Sequence, residues 1–552
     1  MLPLMDERYR QIRAQLSAEG GAFETREEWV LGEAMQVFAK RHASLRELLA
    51  ASAAFGDAEY IVNDERRISY SEHLRVVGSV ARGLQERHGV GPGDRVAILA
   101  ANCPEWIIAY WATVSLGAIV ASLNGWWTRD EILYALELSE PTLLLGDRKR
   151  LERVRDDVLD CQKLEIEADF AALEAHAADA PLPVQEIAED DAAVILFTSG
   201  TTGRPKGAVN THRGIVGFAQ TNAMTGLERI LHDVDPDAPP PSPPGQTITL
   251  ATPPLFHLSG LYGLTVMMTM VGGKLVLRGG RFDPEDVLRT IERERVTQWT
   301  AMGSSGPRLA SHPDVARYDL SSVTNVGFGG APASPALQAR MLEIFPSATG
   351  NAAMGYGSSE SVAVAAAIGG KTYRAHPESC GFPPHTVSVE IRDTEGKPLP
   401  EGVEGEIHTR SPYLMREYWR NPEATGEALL PGRWLATGDM GRIKDGLLYI
   451  NSRARDMILR SAENVYPVEI EYRLDAHPAV RESAVIGIDH PELGQEVKAV
   501  VVPEPGAQPD VGELEAFCRE TLAAYKVPSA WEIREDPLPR NAAGKVLKTQ
   551  LS

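Results

Sequence analysis

The stretch Thr198-Ser199-Gly200-Thr201-Thr202-Gly203-Arg204-Pro205-Lys206-Gly207 constrains this chain more than any other. It follows an uncharged apolar run, Ala192 to Phe197, that reads as a buried strand. Behind it come a short extended piece, Ala208 to Asn210, and a helix expected to open at the N-cap Thr211. Three glycines let backbone amides approach an anion, four hydroxyls can donate, and Lys206 adds a positive charge. That is the chemistry of a loop that holds polyphosphate. It is not a Walker A loop, whose spacing of glycines and lysine cannot be laid over it.

At 552 residues the chain is expected to form more than one domain with large cores. A net charge of −21 argues against nucleic acid and against an anionic membrane surface as partners. Cys103, Cys161, Cys380 and Cys518 lie far apart with no metal-ligand spacing, which reads as reduced thiols in a cytoplasmic protein. The N-terminal stretch, with Asp6, Glu7, Arg8 and Arg10, lacks the apolar core of a signal peptide. Trp106 to Leu123 is uncharged and just reaches membrane-spanning length. Gly117 within it sits where a helix could end, so a buried helix followed by a strand, Ala118 to Leu123, is the better account.

Residues 1 to about 45 read as charged and helical, with no chemistry assigned. A helix follows Ser69, with Leu74, Val77, Ala81 and Leu84 on one face and Gly89 at its end. A strand from Arg95 to Ala100 and a capping box from Thr128 to Glu131 come next. Helix and strand patterns alternate to about residue 330, which argues for parallel sheets covered by helices. Pro236 to Gly245 carries six prolines and reads as an exposed insertion. Beyond Gly381 short strands (Val387 to Arg392, Gly405 to Thr409, Leu447 to Ile450) point to a small barrel-like β subdomain. After Asp456 a compact α+β unit is expected, with a helix near Pro467, strands at Ala484 to Ile488 and Val497 to Val502, and a helix capped by Asp510.

The glycine-rich decamer resembles the phosphate loop of the adenylate-forming superfamily: acyl-CoA synthetases, firefly luciferase and peptide-synthetase adenylation domains. The resemblance extends from about Gly56 to Leu551 as a series of motifs in the family's order. It implies an α/β fold: a large N-terminal domain of two helix-covered sheets plus the β subdomain, residues 1–455, and a small mobile α+β C-terminal domain, residues 456–552. It implies that Thr198, Ser199, Gly200, Thr201, Thr202, Gly203 and Lys206 hold the phosphates of ATP. In Tyr356-Gly357-Ser358-Ser359-Glu360 the ring can stack on adenine, the Ser359 hydroxyl can reach the α-phosphate, and Glu360, with Thr198, can hold Mg²⁺. Gly329, Gly330 and Ala331 are implied to lie against adenine or the acyl chain, and Asp439 and Arg453 to hold the ribose. Asp456 corresponds to the hinge, and Lys545 to the lysine delivered to the reacting groups.

For the acid, the resemblance points to a pocket formed by His257, Gly263, Ala301, Met302, Gly330, Gly355 and Val362, with His257 gating it. Ser361 to Ala367 is built of small and apolar residues without Arg or Lys, which leads us to expect a roomy apolar pocket for a medium or long fatty acid, or a bulky alicyclic or aromatic acid. The implied activity is an ATP-dependent acid–CoA ligase whose partners are a carboxylic acid, ATP, Mg²⁺ and coenzyme A. Ser461, Ala462 and Glu463 occupy the thiol channel, and Ala462 replaces a glycine there, so transfer to a separate carrier protein stays an alternative. A luciferase-like oxidation, a nucleotide-binding pseudoenzyme and an ADP-forming kinase-like enzyme are the other readings. The oligomeric state is left open, a homodimer being one reading.

Overall fold

In the computed structural model the chain is described over residues 7–64, 66–198, 204–234, 245–279, 282–302, 305–329, 333–453, 456–460, 463–490, 493–541 and 544–551. Of residues 452, 453, 463 and 464 the backbone alone is described. Helix α1 (Glu7–Ser17) accounts for only part of the N-terminal stretch. Thr25–Val30 and Glu33–Phe38 pair as an antiparallel hairpin, which corrects the helical reading. Its two-residue turn, Leu31-Gly32, has positive φ at both positions (49° and 92°), the geometry that matches the twist of paired strands. The proline-rich insertion lies outside the described residues apart from Gly245.

Two sheets form the body of the large N-terminal domain. The first has parallel strands Arg95–Leu99, Ile119–Ser122, Leu143–Gly146, Gln162–Glu165 and β1 (Ala192–Thr198). Strand β2 (Lys206–Thr211) turns back antiparallel on β1. The central strands are runs of Val, Ile, Leu and Ala because helices cover both faces. The uncharged stretch resolves as expected into a buried helix, Pro104–Ser115, and the strand Ile119–Ser122, with Gly117 turning between them at φ 68°. No helix among the described residues is long and apolar enough to cross a membrane.

Helix α2 (His212–Asp233) leaves β2 through Thr211, whose hydroxyl accepts a hydrogen bond from the Gly214 amide at 3.0 Å, the N-cap read from the sequence. Its Ile215, Val216 and Ala219 share one core with the first sheet and with Leu255, Leu261 and Tyr262. In the second sheet β3 (Gln298–Ala301), β4 (Asn325–Gly329) and β5 (Ala353–Tyr356) run parallel, and β6 (Ala366–Gly369) closes the edge antiparallel. Ile248–Ala251, Lys274–Leu277, Glu59–Val62 and Arg67–Ser69 complete it. A third, antiparallel sheet holds Ser388–Arg392, Gly405–Arg410, Leu429–Leu430, Trp434–Lys444 and Leu447–Arg453, the expected β subdomain. The small C-terminal domain is built on a fourth sheet, whose long hairpin Val480–His490/Gly494–Pro503 packs against helices Pro467–Asp475 and Val511–Arg519.

Candidate functional site

The antiparallel register of β1 and β2 sets Thr198 opposite Lys206, and the Thr198 hydroxyl donates to the Lys206 carbonyl at 3.5 Å. Ser199, Gly200, Thr201, Thr202 and Gly203, which join them, lie outside the described residues. Lys206 Nζ stands 5.1 Å from the centre of the Tyr418 ring, within cation–π range. The Tyr418 hydroxyl donates to Glu360 Oε1 at 2.8 Å. Burial, reinforced by the Glu360 carboxylate, pushes the Tyr418 phenol well above its usual range, so it stays protonated and donates. Glu360 Oε2 accepts no hydrogen bond among the described residues.

On the facing side Tyr356 donates to Asp439 Oδ2 at 2.7 Å, and the Asp439 amide donates to Thr437 Oγ1 at 3.1 Å. Burial first, then Asp439, keeps the Tyr356 phenol protonated. Arg453 is the backbone partner of Asp439 across the third sheet. Ser359 is tied from behind: Asn210 Nδ2 donates to its carbonyl at 3.1 Å while Asn210 Oδ1 accepts from Tyr262 at 2.8 Å. Gly357 is needed where it stands, since a Cβ there would lie 2.4 Å from the Ala363 carbonyl carbon.

One cleft of about 700 Å³ brings together Thr198, Lys206, Gly329, Gly357, Ser359, Glu360, Tyr418 and Asp439 with His257, Gly263, Met302 and Gly355. His257 is half-buried against Phe256, with 4.8 Å between ring centres. Burial lowers its pKa to about 4, and its Nε2 has no hydrogen-bond partner among the described residues. Leu261–Val266 is wound as a π-helix, the widened turn that recurs at functional sites, and carries Gly263 and Leu264 to the cleft wall. From the C-terminal domain Asn541 reaches the cleft. Lys545 is not on the cleft wall; its amide donates to Asn541 Oδ1 at 2.9 Å, and its carbonyl accepts from the Asn541 amide at 2.9 Å. Asp456 lies between the third and fourth sheets, and the backbone of Glu463 pairs with Arg460. Gly330, Ala331, Ser461 and Ala462 lie outside the described residues.

Three expectations about the acid pocket need correction. Ala301 faces away, because side chains alternate along β3: Gln298, Thr300 and Met302 line the cleft while Trp299 and Ala301 enter the core behind the sheet. Val362 is also turned into the core, reaching towards Gly214 of α2. It and Ala363 hold positive φ (52° and 59°), rare for residues with a side chain and especially for a β-branched one. Finally, the pocket is not simply apolar. Arg229 of α2 lines it, as do Asn222, Gln298, Asn325 and Asn351. Arg229 belongs to no local motif, so only the fold brings its charge to the pocket. Tyr418, set among Arg416, Glu417, Trp419 and Arg420, carries no local signal either; only the fold brings it to Glu360.

Residues 48–419 match the AMP-binding enzyme family, and residues 469–545 match the AMP-binding enzyme C-terminal domain. The chain belongs to the AMP-binding enzyme family. This AMP-binding enzyme is 34% identical over 486 residues to a feruloyl-CoA synthase of Amycolatopsis sp, covering 88% of this chain and 93% of that one. It is 32% identical to the long-chain-fatty-acid–CoA ligase of Bacillus subtilis strain 168, covering 92% and 94%. Its fold matches the crystal structure of ATP-bound MatB from Rhodopseudomonas palustris with a TM-score of 0.79 at 27% identity, covering 92% and 98%.

Proposed function

We propose that this AMP-binding enzyme is an ATP-dependent acid–CoA ligase, with ATP, Mg²⁺ and coenzyme A as its cofactors. The observation that supports this best is the meeting, in one cleft, of the Lys206–Tyr418–Glu360 array with Asp439, which Tyr356 holds from the core side. One carboxylate oxygen of the acid attacks the α-phosphorus of ATP; the new O–P bond gives acyl-AMP as the bond to pyrophosphate breaks. The CoA sulfur, having lost its proton, then attacks the acyl carbon; the C–S bond forms, and AMP leaves with the bridging oxygen.

Each residue's part follows from its chemistry. Lys206, with the amides and hydroxyls from Thr198 to Gly203, offsets phosphate charge. Asp439 accepts the ribose diol, as two-oxygen acceptors can, and Arg453 supports it. Glu360 and Thr198 are hard oxygen donors and fit Mg²⁺, which supplies charge neutralisation at the phosphates. Rotation about Asp456 would carry Lys545 to the carboxylate and α-phosphate, and Ser461, Ala462 and Glu463 would border the thiol's path. The relatives that act on a feruloyl group and on long-chain fatty acids support a sizeable acid.

Chromatography of the nucleotides formed with ATP, Mg²⁺ and a panel of acids, with and without CoA, tests the reading. AMP and an acyl-CoA are expected only when acid and CoA are both present at full turnover. Acid-dependent pyrophosphate exchange without a thioester would shift the acceptor to a carrier protein. ADP as the product would refute the ligase.

A further inference from the structure

Helix α2 forms one long wall of the cleft. Phe218, Asn222, Thr225 and Arg229 line it at spacings of three and four residues, one face of a helix. The eleven steps from Phe218 to Arg229 span about 16 Å at a rise of about 1.5 Å per residue. The character changes along that length. Leu264, Met267 and Met268 flank the wall's apolar part, whereas Gln298, Asn325 and Asn351 stand at the starts of β3, β4 and β5. Arg229 belongs to this polar end: a Cβ on Gly369 would lie 3.0 Å from its Nη1 and 3.3 Å from the Ala353 Cβ. Glycine at 369 therefore leaves the guanidinium its place.

Arg229 makes no hydrogen bond or ion pair among the described residues, and burial lowers its pKa. Carboxylates stand close but are otherwise engaged. Glu228 is held by Arg13 at 2.8 and 3.1 Å. Asp233 accepts from the Lys371 amide at 3.1 Å and pairs with His232 at 3.0 Å. Tyr9 of α1 closes the same end of the cleft. Half-buried and turned to the cleft with no carboxylate engaged to it, the guanidinium presents an open fork, and a bidentate carboxylate is the partner that fork fits best.

We infer that the acid carries a second carboxylate at its far end, bound by Arg229, with an apolar span between the two carboxyl groups. The substrate class is thus a long dicarboxylic acid, activated at one end and recognised at the other. This rests on the ligase reading and deepens it.

The test compares matched acids: octanoic, dodecanoic and hexadecanoic acid against their dicarboxylic counterparts of equal carbon number. Acid-dependent AMP formation is measured with the full chain and with Arg229→Met and Arg229→Lys. The unaltered chain is expected to favour the dicarboxylic member by about tenfold or more in kcat/KM at the best length, the size of one charge-assisted recognition contact. Arg229→Met is expected to remove that preference, and Arg229→Lys to keep part of it, which also covers the case in which the methionine variant does not fold. Equal or better use of the monoacid at every length overturns the inference, as does a loss in Arg229→Met that falls equally on both members. AMP from monoacids alone would leave the ligase standing; no acid-dependent AMP from either series would remove the ligase reading and this inference with it.

Discussion

Tyr418 shows how much of the site a single hydroxyl organises. Its phenol aims Glu360 while its ring lies beside Lys206, so one side chain positions a carboxylate and a cation together. Tyr418→Phe keeps the ring and removes the donor. A hydrogen bond to a charged group contributes about 1.5–3 kcal/mol, so kcat/KM for ATP should fall roughly tenfold to a hundredfold. Titrating activity against Mg²⁺ checks this, with more Mg²⁺ needed for half-maximal rate; an unchanged Mg²⁺ curve would show that Glu360 needs no aiming. At this scale motif position was informative for Glu360 and Asp439, which both stand on the cleft wall. It was misleading at Ala301 and Val362, where motif position put a residue in the pocket but strand alternation and a left-handed backbone turned its side chain away.

Among the elements, β2 and α2 do most to assemble the cleft. Asn210 on β2 is fully buried and bridges the Ser359 carbonyl to Tyr262 on the π-helical segment. Asn210→Ala would leave the buried Tyr262 phenol unpaired, at a cost of about 1–3 kcal/mol, and would leave the Ser359 carbonyl only its bond from the Val362 amide at 3.4 Å. The urea midpoint of the variant should fall, and acid KM should rise as Ser359 and the π-helical segment behind Gly263 and Leu264 loosen; a fall in stability with unchanged KM would confine Asn210 to the core. The strand–loop–helix order here was legible because the periodicity switches sharply at Thr211, with a side chain that caps. The hairpin at residues 25–38 was not, because Glu28 and Glu33 share the face of Val30, Met35 and Val37 while the apolar Trp29 is exposed, which blurs the alternation.

Over the whole molecule, the position of the C-terminal domain is held in part by Glu504, which accepts from Arg340 Nη1 at 2.6 Å and from Ser311 at 3.3 Å. The Arg340–Glu504 pair is partly exposed and contributes only about 0.2–1 kcal/mol. Arg340→Ala should therefore change the ratio of pyrophosphate exchange to thioester formation, but by less than about fivefold. A second whole-molecule property is acid sensitivity. Burial lowers His73 to about 3 and His212, His257 and His385 to about 4, all from 6.5. The unfolded chain then binds more protons than the folded one below about pH 6.5, so stability is full above that pH and declines as pH falls towards 4. Asp475, pushed up to about 7 by burial, acts in the opposite sense and offsets one of the four. Urea midpoints should drop between pH 6.5 and pH 5, and flat midpoints would contradict these assignments. The domain plan was legible at this scale from changes in texture near Gly381 and Asp456, whereas the contacts between domains depend on residues far apart in the chain.

The central claim, that the acid's carboxylate attacks the α-phosphorus, is tested most directly by following its oxygen. The acid is labelled with heavy oxygen in its carboxyl group, turned over once with ATP and CoA, and the phosphorus-containing products are analysed by mass spectrometry. The account predicts one label in the phosphate of AMP and none in pyrophosphate. Label in inorganic phosphate together with ADP would mean an acyl phosphate, and would contradict it.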